Sequence, residues 1–172
     1  MSKLKLKKEL EGMDRAQLVQ VILDAYAARK ETREYFEFFL DPDVEKLREK
    51  TLAMIDKELR RGKHGRSTSR ITVVRRAFKD FTAFDPGEEY VRDIMLDTLR
   101  RILMLEKFVY FKDTFEKGTR KLIDDIVAYA DSHALMDSTL RRLHEFSRDT
   151  DLGTSSFRNR LLSRFMYLKF DS

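Results

Sequence analysis

The chain has 172 residues, of which 42% are apolar and 38% charged, with a formal net charge of +5. It contains no cysteine, which excludes disulfides, thiolate metal sites and a cysteine nucleophile. Its longest unbroken apolar run, residues 126–130, is far shorter than the roughly 20 residues that a membrane span requires. We therefore expect one soluble, cytoplasmic helical domain over residues 1–172, with a basic loop at about 60–70 and no membrane contact.

Two helices are predicted in the first 40 residues. Asp14 has the position of an N-cap, and Gln17 three residues later completes a capping box. Apolar residues with helical spacing follow over 18–26, and an aromatic cluster over 35–40 comes after a polar break near Lys30.

Each of the two prolines follows an aspartate, at Asp41-Pro42 and Asp85-Pro86. This order is typical of an N-cap followed by the first helical residue, and it predicts two further helix starts. The first of these helices is expected to end at Gly62. The second, with Glu88 completing a capping box, is expected to run to about Phe111.

A basic stretch is the most distinctive feature of the sequence, because residues 59–79 contain eight Lys and Arg and no Asp or Glu. Its cations are Arg60, Arg61, Lys63, Arg66, Arg70, Arg75, Arg76 and Lys79. Helical spacing over 71–81 predicts a short helix, with Ser67, Thr68 and Ser69 as cap candidates. Because the free N–H groups and dipole of a helix N-terminus attract anions, these residues define a candidate anion site. In the alternative interpretation, the arginines pair with acidic helices such as the one over 88–97.

Further helices are predicted toward the C-terminus. Residues 115–129 form one apolar face, although Gly118 within it costs about 1 kcal/mol relative to Ala. Asp137 or Ser138 is expected to cap a helix over 140–146. In total the patterns predict an all-α fold, with seven or eight helices in irregular antiparallel hairpins around one core.

A last amphipathic segment over 157–168 carries a second basic run, Arg158, Arg160, Arg164 and Lys169. Apolar residues occupy the opposing positions of the helix. We expect the segment to dock on the core with its charges outward.

No catalytic or metal constellation is recognisable in the sequence. Glu89, Asp93 and Asp97 form a carboxylate stripe, but neighbouring arginines neutralise it, and the three histidines share no ligand spacing. We predict no metal and no cofactor, and an enzymatic activity stays open because folding brings distant groups together.

Aromatic residues over 35–39 and 108–115 have two interpretations: they pack in the core, or they line a groove for a ligand or peptide. Exposure of Phe38 or Tyr110 would favour the groove. The basic loop itself has no aromatic residues interleaved with its charges, which single-strand binding would favour.

Residues 6–10 (LKKEL), 13–18 (MDRAQL) and 35–43 (YFEFFLDPD) resemble an uncharacterised family of bacterial helical proteins, a domain of unknown function. The resemblance continues through 66–81 into the Asp85-Pro86 helix and implies an all-helical fold without indicating a function. The opening is also superficially similar to the helical hairpins of the SAP and Rho N-terminal nucleic-acid-binding types. Its turn is too short and lacks their Gly-x-Lys, so no binding residues are implied.

The favoured hypothesis is a non-enzymatic binding or adaptor module whose basic surface meets a polyanion, either nucleic acid or an acidic protein. The alternative is a structural or oligomeric interaction protein with no anion site. An exposed apolar patch larger than several hundred Å² would favour this alternative.

Overall fold

A computed structural model describes residues 2–163. Nine α-helices lie within these residues: α1 (Lys3–Glu11), α2 (Arg15–Ala28), α3 (Lys30–Leu40), α4 (Val44–Glu58), α5 (Ile71–Thr82), α6 (Glu88–Glu106), α7 (Asp113–Ser132), α8 (Met136–Arg148) and α9 (Ser155–Leu162). A 3-10 turn, Lys63–Gly65, separates α4 from α5. The all-α prediction is confirmed, and the predicted count of seven or eight helices is too low.

The helix missing from the sequence prediction is α1. Its sequence, KLKLKKELE, alternates charged and apolar residues at first, so it lacks the three-to-four spacing that identifies an amphipathic helix. A cap at Ser2, whose Oγ accepts a hydrogen bond from the Lys5 N–H at 3.3 Å, starts the helix.

The chain divides into two compact units, with the boundary between Asp43 and Val44. We call residues 2–43 unit 1 and residues 44–163 unit 2. The sequence-based prediction of one domain over the whole chain stays a prediction.

Unit 1 contains α1, α2 and α3. The predicted capping box of α2 is confirmed, because the Gln17 N–H donates to Asp14 Oδ1 at 2.9 Å and the Asp14 N–H donates to Gln17 Oε1 at 3.0 Å. The aromatic cluster after Lys30 forms α3, as predicted. Among residues 2–43, none is buried.

Unit 2 is built around α6, which packs against α4, α5, α7 and α8. Six α6 residues have no exposed surface: Ile94, Leu96, Thr98, Leu99, Ile102 and Leu103. These residues point in several directions around the helix, as expected for a helix that is surrounded by others. The core of unit 2 therefore encloses α6.

The carboxylate stripe of α6 links helices of unit 2. Arg48 of α4 donates to Asp97 at 2.5 Å, and Arg142 of α8 donates to Asp97 at 3.2 Å and to Asp93 at 2.7 Å. Within residues 2–163, no group of three His, Cys, Asp or Glu side chains is placed to hold a metal ion. The stripe thus joins α4, α6 and α8 through ion pairs.

Both Asp-Pro helix starts are wrong. Asp41 ends α3 as its C-cap, and α4 begins only at Val44. Asp85 adopts a left-handed φ of 52°, and α6 begins at Glu88 after Gly87, which has no side-chain cap. Asp tolerates this backbone conformation better than most residues. Pro86, which follows it, is buried.

The cap prediction for α8 is also wrong, because α8 follows Leu135 and has no side-chain cap. Ser138 instead donates to the Leu135 carbonyl at 3.1 Å and accepts from Arg92 Nη1 at 2.7 Å. Its hydroxyl therefore connects α8 to α6.

The second basic run differs from its prediction. Arg158 is buried and donates to the carbonyl oxygens of Asp149 and Leu152, so its charge does not point outward. Arg160 is half exposed and forms an ion pair with Glu116 at 3.6 Å. The other members of the predicted segment, Phe165, Leu168, Arg164 and Lys169, lie outside the described residues.

Candidate anion-binding surface

Two helices of unit 2 end earlier than the sequence predicts. Helix α4 stops at Glu58, ahead of Gly62, and α6 stops at Glu106, ahead of Phe111. The early ends leave two segments outside the α-helices, 59–70 and 107–112, that lie side by side. Two backbone hydrogen bonds join them: the Tyr110 N–H donates to the Gly65 carbonyl at 2.7 Å, and the Ser67 N–H donates to the Tyr110 carbonyl at 3.0 Å.

The first half of the basic stretch forms a closed turn, which we call the basic turn (residues 61–66). The Gly62 N–H donates to the Arg66 carbonyl at 2.7 Å, and His64 and Gly65 reverse the chain with φ of 55° and 71°. A side chain at position 62 would place its Cβ 2.4 Å from the Arg66 carbonyl oxygen, so this close approach requires glycine. The turn is held by backbone contacts, which leaves its side chains available.

The predicted cap residues close the base of this turn. Helix α5 begins at Ile71 with Arg70 as its N-cap and no side-chain cap, so the prediction that Ser67, Thr68 or Ser69 caps α5 is wrong. The buried Ser67 hydroxyl donates to the Arg60 carbonyl at 3.1 Å, and Ser69 Oγ accepts from the Arg60 N–H at the same distance. Thr68 is exposed.

Glu58 occupies the N-terminus of α5. Arg70 contacts it with both arms of the guanidinium, at 3.1 Å each, and donates its backbone N–H to the same carboxylate at 2.7 Å. The Arg70 side-chain hydrogen bonds are the main reason that the pKa of Glu58 lies below its ordinary value, although burial opposes the shift. The same pair raises the pKa of the Arg70 guanidinium. A phosphate at this helix end would have to displace a well-held carboxylate.

Other cations of the second half also have internal partners. Arg75 of α5 pairs with Asp125 of α7, and Arg76 lies 3.9 Å from Asp80 on the same helix. Arg60, which precedes the basic turn, donates to the carbonyl of Lys57. These carboxylates do not belong to the acidic stripe of α6, whose aspartates are held by arginines of α4 and α8.

The cations of the basic turn are different. Arg61, Lys63 and Arg66 are exposed, and none has a carboxylate partner within residues 2–163. Lys79, on α5, is also exposed and has no carboxylate partner within the described residues. Apart from Lys79, the structure thus separates a paired half of the basic stretch from an unpaired turn.

An exposed aromatic pair lies beside the turn. In the segment after α6, Phe108 is 60% and Tyr110 82% exposed, whereas Val109 is buried and Phe111 stacks on Phe115 and packs against the core. Tyr110 is the direct backbone neighbour of Arg66. We call the set Arg61, Lys63, Arg66, Phe108 and Tyr110 the basic-aromatic surface.

Sequence reasoning missed this surface because it treated residues 108–111 as the end of a helix. Residues 108–111 read FVYF, so the sequence shows no polar-apolar alternation there that would have indicated a non-helical segment. Phe38, the other aromatic residue whose exposure was in question, is half buried in unit 1.

The fold and this surface define an all-helical protein. It presents unpaired cations on the turn between α4 and α5 and, beside them, aromatic rings on the segment after α6. Within residues 2–163, no helix is both long and apolar enough to cross a bilayer. The chain belongs to the family of unknown function DUF6155, whose family model matches residues 1–163. No curated protein and no solved structure matches the chain.

Proposed function

We propose that the protein is a non-enzymatic binding module whose basic-aromatic surface holds single-stranded nucleic acid. The observation that carries the proposal is the pair of hydrogen bonds that fixes Tyr110 against the turn holding the unpaired cations. Proteins that bind single strands combine cations for the phosphates with aromatic faces on which bases stack. The structure brings both groups together from segments more than 40 residues apart in sequence.

The charge of the turn supports contact with phosphates. Arg61, Lys63 and Arg66 have no carboxylate partner in the described chain, so an incoming phosphate would not have to break an internal ion pair. Because the backbone of the turn is already hydrogen bonded, ordering it on binding costs little conformational entropy.

The exposed rings favour a single strand over the other polyanions. The faces of bases are accessible in a single strand and are covered by stacking in a duplex. An acidic protein would satisfy the cations but would give no stacking partner to a tyrosine that is 82% exposed. Nucleic acid is therefore the partner that uses all five residues.

Salt dependence is the first test. Fluorescence anisotropy of a labelled single strand of about 15 nucleotides, titrated with the full chain between 50 and 300 mM salt, measures the affinity. Three phosphate contacts predict that log affinity falls by about 2 per unit of log salt, since each contact to a single strand contributes about 0.7. A flat salt dependence, or no binding at 50 mM salt, would overturn the proposal.

Variants then test the residues. Tyr110→Ala is expected to weaken single-strand binding by about tenfold, whereas Tyr110→Phe keeps the ring and most of the affinity. Arg66→Gln should weaken binding and reduce the salt slope, while Arg76→Gln removes the same charge from a cation that lies near Asp80 and serves as its control. If a polyglutamate peptide binds as tightly as the strand and Tyr110→Ala changes neither, the partner is an acidic protein and the proposal is wrong.

The alternative predicted from the sequence, an oligomeric interaction protein, is supported by a different surface. Nine of the large apolar side chains that are exposed in the described chain belong to unit 1, and none of them takes part in the basic-aromatic surface.

A further inference from the structure

Unit 1 has apolar residues but no core. Its exposed large apolar side chains are Leu4, Leu6, Val19, Val21, Ile22, Leu23, Tyr35, Phe39 and Leu40. The most exposed are Leu40 at 78%, Phe39 at 68% and Leu4 at 66%. A unit of this size without buried side chains lacks the main favourable term of folding, and such small units usually depend on oligomerisation or another support.

Helix α2 is an example of apolar residues that unit 1 does not bury. Val19, Ile22 and Leu23 are spaced i, i+3 and i+4 on one face, Val21 lies on another, and all four are exposed. A broad apolar face on a helix is normally covered by other helices, and only the side of α2 with Gln17, Gln20 and Asp24 is polar. The surface of unit 1 therefore requires a partner.

The groove between α1 and α2 indicates which kind of side chain the partner would insert. It has a volume of about 780 Å³, and its walls are apolar, formed by Leu4, Leu6, Leu10 and Leu18. Lys3, Lys7 and Glu11 also line it, so the groove carries one net positive charge, and Glu11 lies 3.5 Å from Lys7. The groove suits an apolar side chain followed by an acidic one.

Unit 1 itself carries such a segment. The end of α3 exposes Phe39 and Leu40, and Asp41 follows them directly. Charge is complementary on a larger scale too: residues 3–11 contain four Lys and two Glu, for a net +2, whereas residues 30–41 contain two cations and four acids, for a net −2. The basic helix of one copy thus matches the acidic helix of another.

We propose that a second copy of this chain covers unit 1, with the end of α3 of each copy seated in the α1–α2 groove of the other. This exchange is a two-fold arrangement, in which the same two patches meet twice. The nine exposed side chains amount to roughly 900 Å² per copy, an upper limit for the area that the exchange covers; a standard interface buries about 800 Å² per partner. The proposal is independent of nucleic-acid binding, because it uses no residue of the basic-aromatic surface.

Multi-angle light scattering of the full chain at roughly 1 to 100 µM, a range chosen to include ordinary dimer affinities, tests the proposal. We expect twice the chain mass of 20.5 kDa at the upper concentrations. The double variant Phe39→Ser with Leu40→Ser should be monomeric throughout. Its circular dichroism should be unchanged, since both side chains are mostly exposed.

A matched control removes two exposed apolar side chains from unit 2, Met54→Ser with Met104→Ser, and should leave the dimer intact. Charge reversal gives a sharper result: Asp41→Lys and Lys7→Asp should each weaken the dimer, and the two together should restore it. A monomeric wild-type chain at 100 µM, or a dimer that the unit 1 double variant leaves unchanged, would overturn the proposal.

Discussion

Unit 1 and unit 2 both consist of amphipathic or apolar helices, but they differ in what those helices cover. In unit 2, α6 is enclosed by its neighbours, and residues such as Leu99 and Ile102 have no exposed surface. In unit 1, Leu23 is 54% exposed although its helix is at least as apolar. Apolar content alone therefore does not tell whether a helix buries its surface within the chain or leaves it for a partner.

Truncating one leucine in each unit gives the largest expected difference. Leu99→Ala should lower the free energy of unfolding by about 3 to 4 kcal/mol, because it leaves a cavity inside the core of unit 2. Leu23→Ala should cost less than about 1 kcal/mol in the monomeric background carrying Phe39→Ser and Leu40→Ser. Urea unfolding followed by circular dichroism measures both values. Equal losses would contradict the distinction between a packed and an unpacked unit.

Replacing a glycine by alanine in each unit compares how tightly the two units are packed. In α7, a Cβ at Gly118 would lie 2.6 Å from Cγ2 of Ile71, a stiff β-branched side chain at the start of α5. Gly118→Ala should therefore destabilise unit 2 by about 1 to 2 kcal/mol, even though alanine favours helix by about 1 kcal/mol.

The matched substitution in unit 1 is Gly12→Ala. Its Cβ would lie 3.6 Å from the nearest atom, in an ordinary helical backbone conformation, so the change should stay within about 0.5 kcal/mol. Thermal unfolding of the two variants separates them. A stabilised Gly118→Ala variant would show that α5 shifts easily and that the contact with Ile71 is loose.

The sequence predicts those parts of the fold that depend on neighbouring residues. The Asp14 capping box and the buried face of α5 follow from spacings of three and four residues, and both are confirmed. Helix ends are predicted less well: α6 stops at Glu106 although apolar residues follow at 108–111, and Asp85 does not cap it. Those ends are set by packing against distant segments.

The candidate site depends even more on distant contacts. Arg66 is the neighbour of Tyr110, and Arg75 is neutralised by Asp125, a residue 50 positions away. Composition identified the basic stretch, but it contains no information on which cations find a carboxylate after folding. The division into a paired half and an unpaired turn therefore had to come from the structure.

Protonation gives the smallest effect and tests the paired half directly. Because Arg70 lowers the pKa of Glu58 below its ordinary value of 4.5, the ionised carboxylate stabilises the folded state at pH values above 4.5. That contribution is lost as the pH falls through the lowered pKa. Glu58→Gln should therefore lower the Tm by about 2 °C at pH 7 and by progressively less below pH 4.5.

Glu11 of unit 1 is the control for Glu58. It lies 3.5 Å from Lys7, but both side chains are more than 60% exposed, and water screens such a pair. In the monomeric background carrying Phe39→Ser and Leu40→Ser, Glu11→Gln should lower the Tm at pH 7 by less than Glu58→Gln does. If the Tm of Glu58→Gln and the Tm of the wild type change in parallel from pH 7 to pH 3, Glu58 is not held by Arg70 in solution. The N-terminus of α5 would then be open to an anion, and the boundary between the paired and unpaired halves would have to move toward Arg75.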